Sequence, residues 1–181
     1  MSRGALAALA GVGLLAGCAS PALPRFEATL AANDSATAAL EQWCAARAIA
    51  APARITASVV EGGPGEPADA RALLGVSAGE PLGFRHVRLD CGGKVLSEAY
   101  NWYVPARLTS EMNATLATTR TPFGKVAAPL GFSRERLASA HGAKLGCPAG
   151  SVVSHRAMLR LADGRGLALL VECYSRANLE R

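Results

Sequence analysis

Little in this 181-residue chain is aromatic: four Phe, two Trp and three Tyr. The formal charge is +5, but the Lys and Arg residues are dispersed rather than blocked. With so few rings there is neither a stacking platform nor a phosphate-tracking stripe, and no nucleic-acid partner is expected. A Walker loop, a dinucleotide Gly-x-Gly-x-x-Gly and a His-Glu-x-x-His pair are absent, which excludes the fingerprints of nucleotide enzymes and zinc proteases. There is no Cys-x-x-Cys, and His86, His141 and His155 stand far apart, so neither a metal nor an organic cofactor is expected.

Long apolar runs are also missing. Arg3 supplies a short positive region, and Gly4 to Leu14 is an apolar stretch far below the roughly 20 residues of a spanning helix. It ends in Leu15-Ala16-Gly17-Cys18, small residues that admit a signal peptidase, followed by a thiol for lipid attachment. The segment resembles the lipobox of bacterial lipoproteins. That resemblance implies a signal peptide over 1–17, lipidation at Cys18, a tether over 18–32 and one domain over 33–181. Ala19 after the cysteine, in place of Asp, resembles the sorting signal for the outer membrane. The chain is therefore expected to be exported, lipid-anchored in the cell envelope and periplasm-facing. An oxidising compartment makes two disulfides the natural state of Cys44, Cys91, Cys147 and Cys173, with three pairings open.

Two prolines between Ser20 and Arg25 read as part of the tether. Asn33-Asp34-Ser35 offers N-caps to a helix over 36–48, in which Leu40, Trp43 and Cys44 fall at helical spacing. Ile55 to Val60 alternates and is β-branched, predicting a strand; 61–68 is a Gly/Pro loop and 69–74 a short helix before Gly75. Strands over 82–90 and 94–104 form a predicted hairpin across Cys91-Gly92-Gly93. A helix follows over 110–118, broken by Thr121-Pro122-Phe123-Gly124. Strand-like runs at 125–137, 151–161 and 166–175 close the chain, the last two joined at Asp163-Gly164. The sum is an α+β domain with a single antiparallel sheet of about five or six strands and helices on one face.

Four segments carry a family resemblance. They are Asp34-Ser35-Ala36-Thr37, Phe84-Arg85-His86-Val87-Arg88-Leu89, Thr121-Pro122-Phe123-Gly124, and Arg156 with Leu159-Arg160-Leu161 ahead of Leu169-Leu170-Val171-Glu172. In this order the chain resembles chorismate pyruvate-lyase and the UTRA-type effector-binding domains of bacterial regulators that share its fold. The resemblance implies a substrate arginine at Arg85 and an active-site glutamate at Glu172, acting on chorismate or a related cyclic carboxylate to give 4-hydroxybenzoate and pyruvate. Arg85 and Arg156 would grip carboxylates, since a planar guanidinium pairs with them bidentately. Glu172, inside an apolar run, needs a partner; it would orient a hydroxyl and relay its proton. Phe123 and Ala36 would wall the pocket.

Departures from the lyase pattern open a second reading. Ala36 stands where the lyase has a lid methionine, Phe123 replaces a leucine, and Tyr100 falls where a glycine meets the ligand. An exported protein, moreover, does not normally meet chorismate, an intracellular metabolite. The alternative is a non-catalytic, monomeric lipoprotein that holds a small carboxylated cyclic or aromatic ligand in the same fold, with Tyr100 stacking on it. A third reading is an envelope scaffold whose pocket Tyr100 and Phe123 close.

Overall fold

The computed structural model describes residues 22–180. The lipobox, Cys18 and Ala19 lie outside the described residues. Five helices, α1 (Ala22–Ala31), α2 (Ala36–Ala46), α3 (Ala70–Leu74), α4 (Ser110–Thr118) and α5 (Phe123–Ala127), join six strands, β1 (Ile55–Val59), β2 (Gly83–Cys91), β3 (Lys94–Tyr103), β4 (Ser133–His141), β5 (Ser151–Arg160) and β6 (Gly166–Ser175). The strands form one sheet in the order β1-β2-β3-β6-β5-β4, antiparallel throughout. The α+β class expected from the sequence is the observed one.

Local chemistry explains the elements that position the site. The β2–β3 turn uses Gly92 and Gly93 at φ 59° and 85°, a region side chains resist. Ser35 caps α2 by accepting from the Ala38 amide, and α2 then turns Thr37, Leu40, Trp43 and Cys44 inward at helical spacing. The continuous burial of β6 follows from its central place with both faces covered. On one face α1 and α2 bury Phe26, Leu30, Leu40 and Trp43 against Val87, Leu89 and Tyr174, while α5 covers Leu159, Ala168 and Leu170. Short α3 packs on the opposite face against Tyr100, Trp102, Met158 and Leu169, so the helices are not all on one side.

Three expectations change. The tether over 18–32 is helical from Ala22, because Pro24 falls in the first turn, where no amide is needed, and Ala22, Phe26 and Leu30 form a buried stripe. Thr121-Pro122-Phe123-Gly124 does not simply break a helix: Pro122 is the N-cap of α5. The strand expected from 125 accordingly begins at Ser133.

Two disulfides join Cys44 to Cys91 and Cys147 to Cys173, a state consistent with export to an oxidising compartment. The first ties α2 to the end of β2, and the second ties the β4–β5 loop to β6. Closing loops of 47 and 26 residues, they stabilise the fold by roughly 3–4 kcal/mol each on the chain-entropy account. Among the described residues no helix is long and apolar enough to cross a membrane, and no cluster of His, Cys, Asp and Glu is arranged to hold a metal.

Candidate functional site

The helix-covered face carries a narrow cavity, about 40 Å³, between the start of α2, the start of α5 and the sheet. Its floor is Val87, Ala99, Asn101, Leu170 and Glu172, and its roof Ala36, Thr37, Phe123 and Phe132. The roof is tight. A Cβ on Gly124 would lie 2.5 Å from Ser35 Oγ and 3.1 Å from Thr37 Oγ1, so only glycine lets α5 approach α2 this closely. The free space takes a few waters; for scale, an apolar cavity of roughly 150 Å³ holds a benzene ring.

Strand pairing sets which side chains reach this cavity. Arg85 pairs with Asn101, Ala99 with Glu172 and Glu172 with His155, and paired residues share a face. Arg85 and Glu172 therefore both point to the helix side, two strands apart and one step along, with Cα atoms roughly 12 Å from one another by sheet geometry. Glu172 lines the cavity, whereas Arg85 lies outside its lining, next to Asn101, and the two do not touch.

Glu172, 3% exposed, is ion-paired with Arg134 of β4 and accepts from Tyr174 Oη at 3.1 Å. Both contacts fall on Oε2. Oε1 has no partner among the described residues and is left for the cavity that Glu172 lines. Arg134 also donates to His155 Nδ1 at 3.2 Å, which makes that nitrogen the acceptor of a neutral imidazole. Burial, with Arg134 and Arg136 alongside, pushes the His155 pKa down to about 4. Burial opposes the charge on Arg134, but the Glu172 carboxylate outweighs it, so the net pKa shift is upward.

Among the described residues Arg134 Nε is left without a hydrogen-bond partner, as is Arg85 Nε, but Arg85 has no ion pair either. It is 5% exposed and donates to the carbonyls of Thr121 at 3.0 Å and Thr119 at 3.2 Å, while Nε has no partner. Among the described residues no carboxylate lies within ion-pair distance. Burial therefore lowers its pKa from the usual guanidinium value. Its strand partner Asn101, also 5% exposed, lines the cavity with no hydrogen bond to its amide among the described residues.

The remaining sequence candidates divide. Phe123 and Ala36 line the cavity with Glu172. Tyr100 and Arg156 do not: they pair with His86 and Val171 and point to the opposite face. There Tyr100 donates to Glu98 at 3.0 Å and Arg156 holds Asp69. Neither shares a pocket with Arg85, nor is Arg156 the partner of Glu172. Sequence reasoning missed Arg134 and Asn101. The signal for Arg134 was indirect, since a glutamate within the apolar β6 run requires a cation.

One motif turns out to be positional coincidence. Gly75-Val76-Ser77-Ala78-Gly79 has Gly-x-Ser-x-Gly spacing, but it follows α3 in an exposed turn rather than joining a strand to a helix, so it is no nucleophile elbow.

No protein-family model matches the chain. A relative does: y4mC of Sinorhizobium fredii (strain NBRC 101917 / NGR234), an uncharacterized protein, is 39% identical over 176 residues, covering 84% of this chain and 73% of its own. The chain belongs to the y4mC family. Solved structures supply the fold. The effector domain of PhnF from Mycobacterium smegmatis aligns at TM-score 0.53 and 14% identity, over 79% of this chain and 89% of that domain. Full-length PhnF aligns at TM-score 0.55 and 13% identity, over 81% of this chain. YydK from Bacillus subtilis subsp. subtilis str. 168, described as a possible transcriptional regulator, aligns at 0.48 with 12% identity over 68% of this chain. The chain spans 65% of PhnF and 59% of YydK, less than two thirds of either protein. The y4mC-family chain thus has the UTRA-type, chorismate-lyase-like fold.

Proposed function

We propose that this y4mC-family protein is an exported lipoprotein, anchored through Cys18, that binds a small carboxylated cyclic or aromatic molecule without transforming it. One observation carries the reading: the buried Arg85 guanidinium has no counter-ion among the described residues, its Nε has no hydrogen-bond partner, and it stands beside Asn101, which lines the cavity. Proteins seldom bury an unpaired charge, because the desolvation cost is several kcal/mol. A ligand that fills the cavity and reaches past Asn101 would bring a carboxylate to Arg85 and offset that cost. Asn101 would take a second polar atom and Glu172 Oε1 a hydroxyl proton, with Phe123 and Ala36 against the ring.

The fold shared with the PhnF effector domain supports a binding role. So does the state of Glu172. Its Oε2 is already engaged by Arg134 and Tyr174, which leaves a single carboxylate oxygen to hold a ligand hydroxyl. Because the free volume is small, binding requires the α5 start and the α2 start to part, and Gly124 lies where they meet.

The test is calorimetric titration of the protein, both disulfides intact, with 4-hydroxybenzoate and with chorismate, while 4-hydroxybenzoate and pyruvate are followed in the chorismate sample. Saturable binding that Arg85→Met removes, with no product formed, is expected. Turnover of chorismate would restore the enzyme reading, and binding unchanged in Arg85→Met would overturn the site. For the anchor, incorporation of labelled palmitate should vanish in Cys18→Ala.

A further inference from the structure

The face of the sheet opposite Arg85 and Glu172 bears a wider opening. It measures about 310 Å³ and lies over β3, β5 and β6. That is at the lower end of the roughly 300–1,000 Å³ usual for small-molecule sites. We propose that it is a second ligand site, for an aromatic carboxylate, in which the ligand's carboxylate takes the place of Asp69 on Arg156.

The floor selects a ring. Tyr100 and Trp102 lie with ring centroids 6.4 Å apart, in a row continued by Phe84 at 5.4 Å from Trp102 and His86 at 4.6 Å from Tyr100. Val171 fills the floor beside them. Tyr100 and Trp102 are buried in the core, 7% and 3% exposed, and a planar ligand in the opening meets the small part of each ring that reaches it, burying the apolar surface there. The Tyr100 hydroxyl is fixed by donation to Glu98, which also receives Arg88 and meets His86 Nε2 at 2.9 Å. Burial would raise the Glu98 pKa, but these hydrogen bonds outweigh it and hold the carboxyl below its ordinary range. The platform is thereby rigid.

The walls are built for contact. Leu145 has φ +56°, a left-handed backbone that a leucine rarely adopts, and remains 37% exposed beside the opening. The Cys147–Cys173 disulfide holds its loop onto β6. Strained, solvent-facing apolar residues on a stapled loop are characteristic of ligand clamps.

The charge is exchangeable. Arg156 grips Asp69 through both nitrogens, at 3.0 and 2.6 Å, in the fork geometry that any carboxylate can adopt. Asp69 sits on the loop before α3 with its side chain 54% exposed, so release returns it to water. Arg156 therefore presents a preformed carboxylate grip whose present occupant lies at a solvent-accessible rim.

The experiment titrates 2-naphthoate into the full chain with both disulfides oxidised and follows backbone amide NMR shifts and affinity. Shifts at Gly65, Asp69, Tyr100 and Leu145 are expected. Arg156→Gln should weaken binding about tenfold by removing the charge-assisted pair. Asp69→Asn should instead tighten it several-fold by removing the competing carboxylate, a gain that a merely structural salt bridge would not give. Both substitutions sit at a solvent-accessible rim, and an unchanged spectrum outside the site verifies the fold. Equal affinity in Arg156→Gln, or weaker binding in Asp69→Asn, would overturn the proposal. Shifts confined to Asn101 and Phe123 would also overturn it, while leaving the first cavity's role intact.

Discussion

On the helix-covered face Arg85 and Arg134 are sealed from water, one without any carboxylate among the described residues and the other locked to Glu172. On the opposite face Arg156 meets Asp69 at a rim that solvent reaches. The first face has about 40 Å³ of free space and polar groups left without partners; the second has about 310 Å³ and polar groups that are paired. The difference teaches that unmet demand and available room are separate marks of a binding site. A tight cavity beside an unpaired buried cation gives selectivity but must open, whereas a wider opening rimmed by a solvent-accessible ion pair needs less rearrangement to admit a ligand.

The comparison breaks most sharply at the buried pair. Arg134→Leu should cost roughly 3–5 kcal/mol, because it strands Glu172 uncompensated in the core. Arg134→Met combined with Glu172→Leu should recover most of that loss, as read from urea midpoints. On the other face, removing the Cys147–Cys173 bond by Cys147→Ala with Cys173→Ala should cost about 3 kcal/mol. It should also loosen the Leu145 loop, seen as faster amide exchange there, with the Phe123 cavity unaffected.

His155 belongs to the helix face and gives a pH signature. Its folded pKa of about 4 lies below the ordinary 6.5, so the folded state binds fewer protons between those values. The stability it contributes is complete above pH 6.5 and is lost as pH falls toward 4, by up to roughly 3 kcal/mol. A urea-midpoint series from pH 7.5 to 4 should show this slope in the wild type and a shallower one in His155→Gln. Asn101→Leu should change stability by less than about 1 kcal/mol, since its amide has no protein partner among the described residues to lose and faces the cavity rather than being fully buried. Binding of 4-hydroxybenzoate should fall in the same variant, and a larger loss of stability there would show that the amide has a structural partner.

The sequence made some of this legible. Gly92-Gly93 and Asp163-Gly164 marked both hairpin turns, and the apolar run of β6 marked a strand, although not that both of its faces are buried. Glu172 within that run declared its need for a cation. Its actual partner was hidden, because Ser133-Arg134-Glu135-Arg136 reads as a polar edge strand and only the β4–β5 pairing brings Arg134 inward. Tyr100 and Arg156 were misplaced for a specific reason. With the register of the β2–β3 turn, Cys91 with Lys94, continued unbroken, Arg85 would face Tyr100; the irregularity at Leu89/Asp90 shifts the pairing so that Arg85 meets Asn101. A second shift, at Leu159/Arg160, turns His155 rather than Arg156 toward the face of Glu172. One extra residue in a strand exchanges the two faces of everything beyond it, and composition carries no trace of it.

The central claim is that Arg85 is a buried cation awaiting a ligand carboxylate. It is tested most directly by comparing 4-hydroxybenzoate with 4-hydroxybenzamide, which keeps the shape and removes the charge, in calorimetric titrations of wild type and Arg85→Met. The account predicts that the wild type prefers the acid by about tenfold or more, equivalent to at least roughly 1.4 kcal/mol, and that Arg85→Met erases the preference. Equal affinity of the wild type for acid and amide would contradict it.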